Sequence, residues 1–109
     1  MTEYSTGGKT TLTPEVLMTM ARMAALEIEG VRGMAPVRGR GLLKRGEQGV
    51  RYELEGGIVF LDLFLVLEKE INIRDIGRRV QEHVARVVTE LTGLEVGHVN
   101  IHVEDISSE

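Results

Sequence analysis

The stretch IVFLDLFLVL, Ile58 to Leu67, holds nine apolar residues in ten, with Asp62 in the middle. Three structures accommodate such a run: a stub of membrane segment, a strand buried on both faces, or a strand whose second face meets another protein. A spanning helix needs about 20 apolar residues, and this run stops at Glu68-Lys69-Glu70. Its β-branched and aromatic residues favour a strand. Side chains alternate along a strand, so parity divides the run. Val59, Leu61, Leu63, Leu65 and Leu67 form one unbroken aliphatic row. Ile58, Phe60, Asp62, Phe64, Val66 and Glu68 form the other.

The residues before it read as its hairpin mate. Val50, Tyr52 and Leu54 alternate with Arg51, Glu53 and Glu55, and Gly56-Gly57 is a two-residue hairpin signal. After it, Asn72 is a good N-cap, Asp75 follows three residues on, and Gly93 is a stop. A helix is therefore expected from about Ile73 to Thr92, with Ile73, Ile76, Val80, Val84, Val87 and Leu91 as its apolar stripe. A last strand from Val96 to Asp105 places Val99, Ile101 and Val103 on one face and His98, Asn100, His102 and Glu104 on the other.

Upstream, Thr13-Pro14-Glu15 is a helix start. The helix is expected to reach about Glu29, with Gly30 as its stop and Val16, Met20, Ala24 and Ile28 inward, flanked by Leu17, Ala21 and Leu26. Its methionines read as core filler rather than a cofactor site. Residues 9–13 suggest a short strand, residues 31–34 a brief extended piece, and residues 1–8 a flexible tail. Pro36 to Gly49, rich in glycine and carrying the cations Arg38, Arg40, Lys44 and Arg45, reads as a long mobile loop.

The 109 residues suggest one domain, over residues 9–106. The order is strand, helix, hairpin, helix, strand. Each helix buries one stripe, which predicts an α+β two-layer sandwich with both helices on one face of a small mixed sheet. The row Phe60, Asp62, Phe64, Val66 then faces away from the helices, beside Arg51 and Glu53 and the histidines of the last strand. Two readings of that face stay open: contact with a partner or a second copy, or cover by the loop 36–49. In the first, Asp62 pairs with a basic group across the contact, Arg51 being the candidate.

Chemistry is sparse. A net charge of −4 argues against a polyanion-binding surface over the whole molecule. The absence of cysteine excludes disulfides, thiolate zinc sites and thiol nucleophiles. MTEYSTGGKT has no apolar signal-peptide region. GGKTT, Gly7 to Thr11, resembles the end of a phosphate loop, but Glu3 stands where the motif needs glycine and no strand precedes it. His98 and His102 lie four strand residues apart, about 13 Å, too far to share a metal. His83 reads as a packing residue on the flank of the second helix. No nucleophile, base and oxyanion donor can be assembled, so neither catalytic residues nor a cofactor is expected.

Three blocks then carry a resemblance: Glu-Gly-Val at residues 29–31; Asn-Ile-x-x-Ile at 72–76; and Leu-Thr-Gly-Leu-x-Val with Val-Asn-Ile-x-Val across 91–103. In this order, over residues 8–106, the chain resembles the alkaline shock protein family of Gram-positive and related bacteria, the envelope stress response proteins. The resemblance implies a non-enzymatic cytoplasmic protein that self-assembles and gathers at the inner membrane face through a membrane-anchored partner. It implies no direct membrane insertion and no catalytic residues. The expected function is thus a self-associating module of envelope stress homeostasis. The alternative, from the residues alone, is an RNA- or polyanion-binding accessory domain using the basic loop.

Overall fold

A computed structural model describes residues 4–6, 10–36, 46–47, 49–68 and 72–106. The elements are β1 (Tyr4–Thr6), β2 (Thr10–Leu12), α1 (Pro14–Leu26), β3 (Val31–Met34), β4 (Gly46–Glu47), β5 (Val50–Glu55), β6 (Ile58–Leu67), α2 (Ile73–Thr92) and β7 (Glu95–Ile106). The α+β sandwich holds, with both helices in one layer.

The opening stretch is the central strand. Along one edge β6 pairs in parallel with β7, from Ile58↔Glu95 to Leu67↔Ile106. Along its other edge two antiparallel segments lie end to end. β5 pairs with residues 58–63 and β3 with residues 65–67. They meet at Phe64, whose N–H donates to Gly49 O and whose carbonyl accepts from Ala35 N–H, each at 2.8 Å. β3 and β5 are thus one long strand interrupted by an excursion. Gly49 suits the junction: its φ is +83°, and a Cβ there would lie 2.6 Å from Met34 Cβ. β4 pairs with the start of β5, so the expected loop carries a short ladder at its end. Arg38, Arg40, Lys44 and Arg45 lie outside the described residues, as do residues 7–9 of the phosphate-loop-like stretch.

The hairpin turn is as expected. Glu55 pairs with Ile58, and Gly56 and Gly57 have φ of +57° and +83°. Positive φ at both central residues is the requirement of a type I′ turn, whose twist matches that of the strands. At the N-terminus, Tyr4–Thr6 pairs antiparallel with Thr10–Leu12, so part of the expected tail forms a ladder and, against expectation, a strand does precede GGKTT, leaving Glu3 as the departure from the phosphate-loop motif.

The aliphatic row of β6 is the core. Val59, Leu61, Leu63, Leu65 and Leu67 are each 0% exposed, under α1 and α2. Burial of each is worth about 1.5–3 kcal/mol. The expected stripes hold in part: Ile76, Val80, Val84 and Ala24 are buried, and Met20, Ile28 and Val87 pack at the core's margin. In α2 the buried row is Ile76, Val80, Val84, Val88 and Thr92, while Ile73 and Leu91 are exposed. In α1 it is Leu17, Ala21, Ala24 and Ala25, and Val16 and Met23 face outward. The alanines leave α1 little side chain on its buried face, so it can pack close. α1 also ends early, at Leu26, with Glu27 as its C-cap.

The caps explain the helix limits. Thr13 Oγ1 accepts from Val16 N–H at 3.2 Å, and Asn72 Oδ1 accepts from Asp75 N–H at 3.0 Å. Buried Thr92 donates to Val88 O at 2.7 Å and accepts from Leu94 N–H at 3.0 Å, just before β7 begins. His83 is more than packing. Its Nε2 lies 2.6 Å from Glu27 Oε1 and its Nδ1 2.9 Å from Arg86 Nη2. Arginine can only donate, so Nδ1 accepts and Nε2–H donates to Glu27, tying α2 to the end of α1.

Candidate functional site: the helix-free face of the sheet

Three rungs of the β6–β7 ladder build this face: Phe60 beside His98, Asp62 beside Asn100, and Phe64 beside His102. The arrangement runs aromatic–imidazole, carboxylate–amide, aromatic–imidazole. Phe64 and His102 stack, with centroids 4.5 Å apart and planes 10° from parallel. Phe60 and His98 tilt by 49° at 4.8 Å. The rungs fall in phase because β7 bulges before His98, absorbing an extra residue; a second bulge after Val103 lies beyond them. Gly97 occupies the first bulge. A Cβ there would come 2.3 Å from Phe60 Cε1, so glycine leaves the room in which the ring lies.

Asp62 is the hub. Its Oδ1 accepts from His102 Nε2–H at 2.9 Å and Asn100 Nδ2–H at 3.2 Å. Its Oδ2 faces the Arg51 guanidinium of β5, with Nη2 at 3.2 Å and Nε at 3.3 Å. The same guanidinium carbon lies 5.6 Å from the Phe64 ring centroid, within cation–π range. The expected pairing of Asp62 with Arg51 therefore occurs, but within one chain rather than across a contact. β5 is antiparallel to β6 with Arg51 directly opposite Asp62, so the partner was already alongside.

Partial burial alone would raise the Asp62 carboxyl. The hydrogen bonds from His102 and Asn100 and the charge and hydrogen bond of Arg51 outweigh it, and the carboxyl is held below its ordinary 3.8. A depressed folded pKa adds stability above the unfolded pKa, and that stability is lost as pH falls through the folded value. Asp62→Asn should therefore unfold more easily than the parent near pH 6. The two denaturation curves should converge as pH falls through and below the parent's depressed Asp62 pKa. A gap of constant size from pH 6 to pH 2 would mean the charge of Asp62 does nothing for the fold.

Parity placed Phe60, Asp62, Phe64, Val66, Arg51 and Glu53 on one face; the β5–β6 register sets Arg51 opposite Asp62 and Glu53 opposite Phe60, while Val66 lies further along β6, opposite Gly33 of β3. Their exposure differs from expectation. Phe64 is only 2% exposed, lying between the His102 ring and the Arg51 guanidinium, and is not free for a partner. Ile58, Phe60 and Val66 are half-buried and Glu53 is exposed. Sequence reading missed the three-donor cage around Asp62. Its one signal was the phase match between His98-x-Asn100-x-His102 and Phe60-x-Asp62-x-Phe64. Among the described residues no three His, Asp or Glu side chains lie together as a metal site would require, and no helix is long and apolar enough to cross a membrane.

A layer of two helices on a sheet of this order is a fold shared with known proteins. MamM-CTD structures superpose with a TM-score of 0.56 at 16% identity, covering 85% of this chain and 98% of theirs. The sequence is more specific. The family model of the alkaline shock proteins, described as having a cell envelope-related function, matches residues 2–108. The chain belongs to this alkaline shock protein family. Among its relatives in Bacillus subtilis (strain 168), YqhY is 29% identical over 104 residues, 91% of this chain and 77% of YqhY. YloU is 27% identical over 109 residues, 91% of this chain and 88% of YloU.

Proposed function

We propose that the chain is a non-enzymatic interaction module that self-associates through the helix-free face of its sheet. In this reading it works in the cytoplasm beside a membrane-anchored partner, in envelope stress homeostasis. The envelope part follows the family, whose described function is cell envelope-related. One observation carries the association. At the centre of this face Asp62, Asn100, His102 and Arg51 are already paired within the chain, while Ile58, Phe60 and Val66 keep apolar surface open. Covering an unpaired carboxylate would cost several kcal/mol, about 3–5 when one partner of a buried pair is missing. Here Asp62 enters a contact already neutralised, so the apolar rim supplies its burial free energy against little opposing desolvation. Glu53 and Arg51 at the margin set register more than affinity.

Some MamM-CTD structures are described as manganese, copper or cadmium forms. That fold likeness, at 15% identity, brings no ligand set to this chain, and metal binding is no part of the reading.

Phe60→Ser tests it. Phe60 is half-buried and its ring contacts His98, so the variant should stay folded and sediment as a smaller species than the parent at the same concentration. An unchanged sedimentation coefficient, with a native circular dichroism spectrum, would remove the face from the association. Nuclease-sensitive assemblies with a steep salt dependence would instead favour the polyanion reading.

A further inference from the structure

The second edge of β7 opens onto a groove that shares only Asn100 and His102 with the helix-free face. β7 uses one edge for β6, and among the described residues no strand pairs with the other. Gln81 Nε2–H donates to Val99 O at 2.9 Å across that open edge. The N–H and C=O of one strand residue share an edge, and successive residues alternate. Between the two bulges, Ile101 and Val103 therefore turn both their backbone groups to the same open edge as Val99. Beside them, the first turns of α2 form the far wall of a groove lined by Arg74, Gly77, Arg78 and Gln81. Gly77 opens it: a Cβ built there meets nothing within 4 Å. Arg79 is paired with Asp75 at 3.3 Å, but Arg74 and Arg78 have no ion-pair partner among the described residues.

We propose that this groove takes an extended acidic segment of a partner polypeptide, which adds to β7 as a further strand. Three features select that occupant. The open backbone of Ile101 and Val103 supplies the hydrogen bonds of strand addition. Arg74 and Arg78 stand one helical turn apart, about 6 Å along the axis. Alternate residues of an added strand stand about 6.6 Å apart, so carboxylates at every second position meet the two cations. A second copy of this chain fits poorly. Pairing β7 with its two-fold mate would lay α2 beside α2 and bring the Arg74–Arg78 row of one copy against that of the other.

The test is fluorescence anisotropy with a labelled eight-residue peptide alternating Glu and Val, against the parent chain. The Glu/Val peptide should bind at least tenfold more tightly than a Lys/Val peptide. N-methylation of one alternate set of its residues should abolish binding, while methylation of the other set should leave it. Gly77→Leu fills the groove from a helix position where leucine is the better helix former. It should keep or raise the melting temperature and lose at least tenfold in affinity. Arg74→Glu with Arg78→Glu should reverse the preference to Lys/Val. Absence of binding, equal loss from both methylation patterns, or full affinity in Gly77→Leu overturns the proposal. Phe60→Ser should leave peptide binding unchanged, which separates this site from the association face.

Discussion

Leu61→Ser combined with Leu63→Ser should leave no folded protein at room temperature. Both side chains are 0% exposed at the centre of the helix-covered row. Truncating one buried leucine costs about 2–5 kcal/mol, and each serine adds a hydroxyl to a layer with few acceptors. Two such changes approach or exceed the whole stability of a domain this size, about 5–15 kcal/mol. A flat near-ultraviolet circular dichroism signal and loss of the cooperative melt are the expected readouts. Phe60→Ser, one residue away on the opposite face, should keep both. If the leucine pair melts like the parent, the assignment of inner and outer faces is wrong, and the association face falls with it.

Gly56→Val with Gly57→Val should be the next most damaging change, although neither position is in the core. Both residues hold positive φ, where an L residue pays roughly 1–2 kcal/mol, and more when β-branched. The pair should cost about 2–4 kcal/mol and lower the melting temperature by roughly 10 °C or more. No Cβ clash contributes, since both glycines have open space around them. Gly56→Asn with Gly57 kept should therefore melt close to the parent, because Asn tolerates the left-handed region. Equal melting of the valine pair and the parent would place the turn elsewhere.

The faces of β6 were legible because a strand's period is two and its row of five aliphatics has no break. The phase of the helices was less so. α1 carries apolar residues at 16, 17, 18, 20, 21 and 23–26, so several stripes fit and only packing on the sheet selects Leu17 and Ala21. In α2 the adjacent Val87 and Val88 are equivalent on paper, yet only Val88 is buried. The burial of Phe64 depends on a ring from β7 and a guanidinium from β5, partners that parity can align but not bring within contact. The groove beside β7 has no sequence signature, because an open edge is a property of strand order.

The junction at Phe64 has a consequence for how this chain can be altered. Two segments leave and rejoin one edge of β6 at a single residue, held there by the two hydrogen bonds of its peptide groups. The ends of the excursion are thus fixed at a distance that does not depend on its content. Closing a loop between fixed ends costs only about 0.6 kcal/mol more for each doubling in length. Chain of quite different length and chemistry spliced between residues 36 and 46, with β4 kept, should not shift the register of β3 or β5. The sheet offers an insertion port, at which a reporter domain or a new binding sequence could be carried while the core beneath keeps its packing.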